Sequence, residues 1–117
     1  MNAIIYTRSA TSEQLKGKSA LEKQKELLTE YCSKNGIRII KHFEEVASGL
    51  NTHRKEWLGL ETFTTVNKVD RILVTSWDRI GRDFHAVNAI INKFSELNIE
   101  INTIQNSDFN FITFLTK

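Results

Sequence analysis

The chain has 117 residues, 40% hydrophobic and 26% charged, which is one globular domain's worth of sequence and excludes a disordered composition. Its 16 lysines and arginines stand against 14 acidic residues, and a net charge of +2 excludes a uniformly basic nucleic-acid coat. One cysteine, Cys32, excludes an internal disulfide and a cysteine-cluster zinc site. With no basic leader and no apolar run of spanning length, a reduced, cytoplasmic setting away from membranes is expected.

The apolar pattern predicts seven elements in chain order. Ala3 to Thr7, with β-branched Ile4 and Ile5, reads as a first strand. Ser9 to Lys18 is polar, and Ser19-Ala20-Leu21-Glu22 reads as a capping box opening the first helix. That helix has Leu21, Leu27, Leu28, Tyr31 and Cys32 on its apolar face and Gly36 as a left-handed stop. Ile37 to Phe43 is a second strand, with Ile37, Ile39 and Phe43 on one face and Ile40 on the other. A loop from Glu44 to His53 leads to a second helix, Lys55 to Val66, with Trp57, Leu60 and Phe63 inward. Arg71 to Thr75 is a third strand, apolar enough to be covered on both faces. Ser76 to Asp83 is a loop, and Asp83 caps a third helix with Phe84, Val87, Ile91, Phe94 and Leu97 inward. Ile99 to Ile104 is a fourth strand. This alternation predicts an α/β fold, a mostly parallel four- to five-stranded sheet with helices packed on its faces.

In such sheets ligands meet the carboxyl ends of the strands. Four of the six arginines fall there: Arg8 after the first strand, Arg54 after the second, Arg79 and Arg82 after the third. Arginine grips phosphate bidentately and stays charged when desolvated, so a convergent set suits a phosphodiester under attack. The alternative is that they pair with Asp78, Asp83, Glu44 and Glu45 as surface ion pairs. Gln24 interrupts the apolar stripe of the first helix. It either reaches the same rim or turns to water at the stripe's edge, because burial without partners would cost about 1–3 kcal/mol. The five glycines are scattered, so there is no phosphate-cradling loop. His42, His53 and His85 lack metal-ligand spacing, and no metal is expected. Cys32, on the buried face of its helix, reads as core.

Three segments then resemble a known family. Tyr6-Thr7-Arg8-Ser9-Ala10-Thr11-Ser12-Glu13-Gln14 is similar to its opening Tyr-x-Arg-Val-Ser-Thr-x-x-Gln. Ala47-Ser48-Gly49 followed by Arg54 resembles its second motif, and Asp78-Arg79-Ile80-Gly81-Arg82 resembles its third, Asp-Arg-Leu-Gly-Arg. The family is the serine site-specific recombinases, and the spacing from Gln14 to Gln24 looks like the large serine recombinase branch. The resemblance implies a catalytic domain that cuts DNA through a 5′-phosphoserine intermediate, exchanges strands within a tetramer and reseals them without any cofactor. It implies that Arg8, Arg54, Arg79 and Arg82 hold the scissile phosphate. Asp78 would hydrogen-bond within the site, and Gln14, Gln24, Glu45 and Ser48 would support it. DNA and further copies of the chain are the implied partners.

Two departures follow. Ala10 fills the nucleophile's place and has no hydroxyl, so cleavage through it is chemically impossible. Strand alternation turns Ser9 away from the face that Arg8 uses, so Ser9 would serve only if a bulge re-aimed it. The expectation is therefore a recombinase catalytic domain that does not cleave, as an inactive relative or through a designed Ser→Ala change, with Ser9 acting from a shifted loop as the competing reading. A non-catalytic, DNA-associated relative and an unrelated phosphate-binding module are the alternatives. The end of the chain, Phe109 to Lys117, reads as neither the long dimerising helix nor the DNA-binding region that the family would add. A single catalytic domain over 1–117 that lacks both is expected, as a fragment or truncated product that partly self-associates; phenylalanines packed on the sheet or in a seam between copies are the other readings.

Overall fold

In the computed structural model, residues 1–9, 14–46, 54–81 and 83–105 are described, residues 14–19 by their backbone alone. Four apolar runs form a parallel sheet: β1 (Asn2–Ser9), β2 (Arg38–Val46), β3 (Arg71–Val74) and β4 (Glu100–Thr103), in the order β2-β1-β3-β4. Helices α1 (Gln14–Lys34), α2 (Lys55–Val66) and α3 (Phe84–Ser95) make the crossovers. The chain moves one way from β1 to β2 and the other way from β2 to β3 and on to β4. Right-handed crossovers then require α1 on one face of the sheet and α2 with α3 on the other.

The two cores follow that division. Ala3, Ile5 and Leu73 pack with Leu28 and Cys32 of α1. Ile4, Tyr6, Ile72, Val74 and Ile101 pack with Trp57 and Leu60 of α2 and Val87 and Phe94 of α3. The Trp57 ring stands edge-on to Tyr6 at 4.9 Å and to Phe94 at 5.9 Å, which locks α2 between strand and helix. No helix among the described residues is long and apolar enough to cross a membrane.

Three local expectations are corrected. First, α1 begins at Gln14, so Ser19 lies inside the helix and no capping box opens it. The polar stretch before Ser19 lacks an apolar stripe, but its residues join a helix that packs further along. Second, the alternation along β2 breaks. Ala3 pairs with Ile39 and Ile4 with Lys41, which leaves Ile40 as an unpaired bulge. Ile37 and Ile39 therefore face α1, while Phe43 joins Ile40 on the α2 side instead of sharing their face. Third, Leu97 lies beyond the end of α3 and is 53% exposed.

Other expectations hold. Gly36 has φ +64°, and the Ile37 amide reaches back to the Cys32 carbonyl at 2.9 Å, as a left-handed cap requires. The Asp83 carboxylate accepts from the Ala86 amide and caps α3. The second helix runs over the predicted residues, Lys55–Val66. The tail from Phe109 to Lys117 lies outside the described residues.

Candidate functional site

The strand order reverses at β1, so the crevice between the carboxyl ends of β1 and β3 is the natural binding position in this topology. The arginines gather there. Arg8 is the penultimate residue of β1 and faces the α2 side, as Ile4 and Tyr6 do. Arg54 is the residue immediately before α2, and Arg79 closes the single 3-10 turn Trp77–Arg79 that follows β3.

These three side chains are tied through backbone carbonyls. Arg8 Nε donates to the Arg79 carbonyl at 3.0 Å, and its Nη2 donates to the Asp78 carbonyl. Arg54 Nη1 donates to the carbonyls of Ile80 and, at 3.4 Å, Arg79. Arg79 Nη1 returns to the Arg8 carbonyl at 3.0 Å. The 78–80 turn is thus pinned to the ends of β1 and α2 by guanidinium groups. Arg8 and Arg54 are both buried. Burial first, and the neighbouring Arg54 charge second, draw the Arg8 pKa below its ordinary value, with Arg79 adding to the same effect. Three cations held this closely favour an anion among them. The Arg79 Nε is buried and has no hydrogen-bond partner among the described residues.

Gln24 resolves in favour of the rim. Its side-chain oxygen accepts from the Arg8 amide at 3.0 Å, and its nitrogen donates to the Arg8 carbonyl at 2.9 Å. A glutamine in the α1 stripe therefore clamps both backbone polar groups of one strand-end residue from the opposite face of the sheet.

Glu45 is buried near the end of β2 and joins two elements. Its carboxylate accepts from the Tyr6 hydroxyl at 2.8 Å, from the Glu56 amide at 2.9 Å and from the Trp57 amide at 3.1 Å. The last two are free amides at the start of α2, where Arg54 itself supplies no side-chain cap. A carboxylate from another strand thus caps α2 and fixes the residue that precedes it. Burial, then the bond to Glu45, push the Tyr6 phenol well above its usual pKa. Tyr6 was given no role in the sequence reading, although alternation placed it beside Arg8.

The remaining candidates are placed as follows. The Asp78 carboxylate is exposed and accepts from the Ser76 hydroxyl; its backbone oxygen accepts from Arg8, and its negative charge partly offsets the lowering of the Arg8 pKa. From Ile4 to Ser9 the pairing of β1 with β2 is unbroken. Ser9 is buried and follows Ile5 and Thr7 toward the α1 face, opposite Arg8. Ala10, Ser48 and Arg82 lie outside the described residues, as does the side chain of Gln14. Gly81 packs close to the start of α3, where an added Cβ would come within 3.3 Å of Val87 Cγ2. Among the described residues no cluster of His, Cys, Asp or Glu could hold a metal ion.

Comparison with known proteins bears on the family and the fold. The family model described as "Resolvase, N terminal domain" matches residues 3–113. The catalytic domain of ISC1926 TnpA, an IS607-like serine recombinase, is 33% identical with a TM-score of 0.81, over 90% of this chain and 71% of that one. The N-terminal catalytic domain of TP901-1 integrase shares the fold at 22% identity, with a TM-score of 0.84 over 99% of this chain and 90% of that one. A resolvase family site-specific recombinase from Streptococcus pneumoniae does so at 17% identity and a TM-score of 0.78, over 99% and 81%.

Proposed function

Because this chain belongs to the resolvase family of serine recombinases, as a match to that family's N-terminal domain, we propose that its arginine rim holds a DNA phosphate in site-specific recombination. The observation that carries this reading is the convergence of Arg8, Arg54 and Arg79 on one turn at the switch point of the sheet. Arg82 joins them by its place in the same motif. The clamped rim supplies preorganised positive charge where a phosphodiester would gain negative charge on attack. Gln24 and Glu45 act as positioning residues, the first through the Arg8 peptide and the second through the start of α2.

With alanine at position 10 the chain holds the phosphate without cutting it. In relatives with serine there, the hydroxyl oxygen would bond to phosphorus, and the phosphorus–oxygen bond to the 3′ side would break and leave a free 3′ hydroxyl. Nothing in that exchange requires a nucleotide cofactor, since the phosphoserine conserves the bond for resealing.

The test is a covalent-adduct assay on nicked DNA read by denaturing gel. The chain with Ala10 should give no adduct, and Ala10→Ser should give one linked through residue 10. In the Ala10→Ser background, Arg79→Ala should slow adduct formation by about 100-fold or more. An adduct of the Ala10 chain mapped to Ser9 would overturn the non-cleaving reading. An Ala10→Ser chain that binds DNA yet never forms an adduct would count against the phosphate-holding assignment of the rim.

A further inference from the structure

Two aromatic rings stand at the start of α3. The apolar pattern turned Phe84 inward with Val87 and Phe94, and those two do enter the core. Phe84 instead stays half-buried, and its ring meets that of the exposed His85. The ring centroids lie 5.2 Å apart with the planes tilted by 43°. The pair adjoins the arginine rim. Arg54 donates to the Ile80 carbonyl, and Gly81 sits so close to the first turn of α3 that an added Cβ would lie 3.3 Å from Val87 Cγ2 and 3.4 Å from Ala86 Cβ. The turn that the arginines hold and the first turn of α3 are therefore packed as one piece. The Asp83 carboxylate, the acidic group between them in the chain, is committed to the Ala86 amide at 2.9 Å. Ala86 and Ala89 are exposed on the same helix, and their methyl groups are too short to cover the rings.

We propose that Phe84 and His85 form a stacking platform for one nucleobase that is out of the duplex stack, at a nick or a single-stranded end beside the phosphate on the rim. The assignment rests on the phosphate-holding reading of the rim for where the strand lies. A phosphate held there brings a sugar and a base with it on either side, and the rings lie on the adjoining turn. Phenylalanine and histidine both present flat faces on which a base can stack. Bases inside an intact duplex cannot reach a protein ring, so the platform serves only a strand that has been opened. Stacking is tolerant of sequence because every base has a flat face, so the platform adds grip without choosing a site. The rings add little charge, so their share of the binding should not depend on salt as the arginines' share does.

Anisotropy titrations of two labelled strands at low salt test it: oligothymidylate, and a strand of equal length whose sugars carry no bases. Both offer the rim the same phosphates. The unsubstituted chain should bind oligothymidylate about tenfold or more tightly than the abasic strand. Phe84→Leu and His85→Ala should each cut that preference by about threefold or more and leave abasic binding as it was, with circular dichroism confirming that each variant is folded. Arg79→Ala should weaken binding of both strands alike and lower the salt dependence, which the ring variants should not. A preference absent from the unsubstituted chain, or retained by both ring variants, would overturn the stacking role. Unchanged binding of both strands by Arg79→Ala, with the preference still lost in the ring variants, would instead sink the phosphate reading of the rim and support the role of the rings.

Discussion

Arg8 is held on both sides of its peptide and at both ends of its guanidinium, and much of this lies beyond the reach of sequence motifs. The motif placed Arg8 at a strand end, but nothing in spacing says that its fork would grip carbonyls of the 78–80 turn. Gln24 was visible as an anomaly because a polar side chain interrupts an apolar stripe. Glu45 was visible only as a nearby carboxylate, because capping a helix from eleven residues upstream leaves no local capping pattern. Two expectations follow. Tyr6→Phe should cost about 1.5–3 kcal/mol, the worth of one hydrogen bond to a charged acceptor. Glu45→Ala should cost more, about 2–4 kcal/mol, since it removes the α2 cap and strands the buried Tyr6 hydroxyl. Urea unfolding measures both, and equal losses would contradict the capping role.

His42 gives the residue scale a pH dependence. Its Nε2 lies 2.9 Å from the Thr7 hydroxyl. Burial first and Lys25 second hold its pKa below the ordinary 6.5, with Glu44 opposing them. In the window between those two values the unfolded chain binds more protons than the folded one. Stability therefore falls as pH drops through 6.5 and levels off below the folded value. Thermal melts between pH 7.5 and 5.5 should show this fall, and His42→Gln should flatten it. Parallel profiles for the two proteins would assign the fall to other groups.

At the scale of elements, helix ends and strand faces were legible where the chemistry is local. Gly36 and Asp83 announced their caps. Asn98 did not, yet it takes φ +61° and ends α3 in the same way, with the Ile99 amide returning to the Phe94 carbonyl at 2.9 Å. Asparagine tolerates that region well enough that no glycine marks the spot. The bulge at Ile40 was illegible because Ile37, Ile39 and Phe43 fit an unbroken alternation equally well. It is a property of pairing with β1, not of β2 alone. Gly59 offers a direct test of α2. An added Cβ would sit 3.5 Å from the Phe43 ring, an ordinary contact. Gly59→Ala should therefore stabilise the fold by about 0.5–1 kcal/mol through helix propensity. A loss instead of a gain would mean that the ring cannot accept even a methyl group.

Across the whole molecule, fold class and strand succession were readable from the alternation of apolar runs, since handedness leaves few ways to wind them. The position of the arginine rim followed from that topology. The sum of charges hid it, because the acidic residues are spread over the chain while four of the arginines are not. DNA binding should show the same concentration of charge. Arg79→Ala or Arg82→Ala should weaken engagement more than Lys23→Ala, and titrations at several salt concentrations should show it. Equal losses from all three would reduce the interaction to diffuse attraction.

The clamp on the Arg8 backbone couples the two sides of the sheet. Gln24 of α1 holds both backbone polar groups of Arg8, while the Arg8 side chain holds the turn that follows β3. A displacement of α1 is therefore felt at the arginine rim on the opposite face.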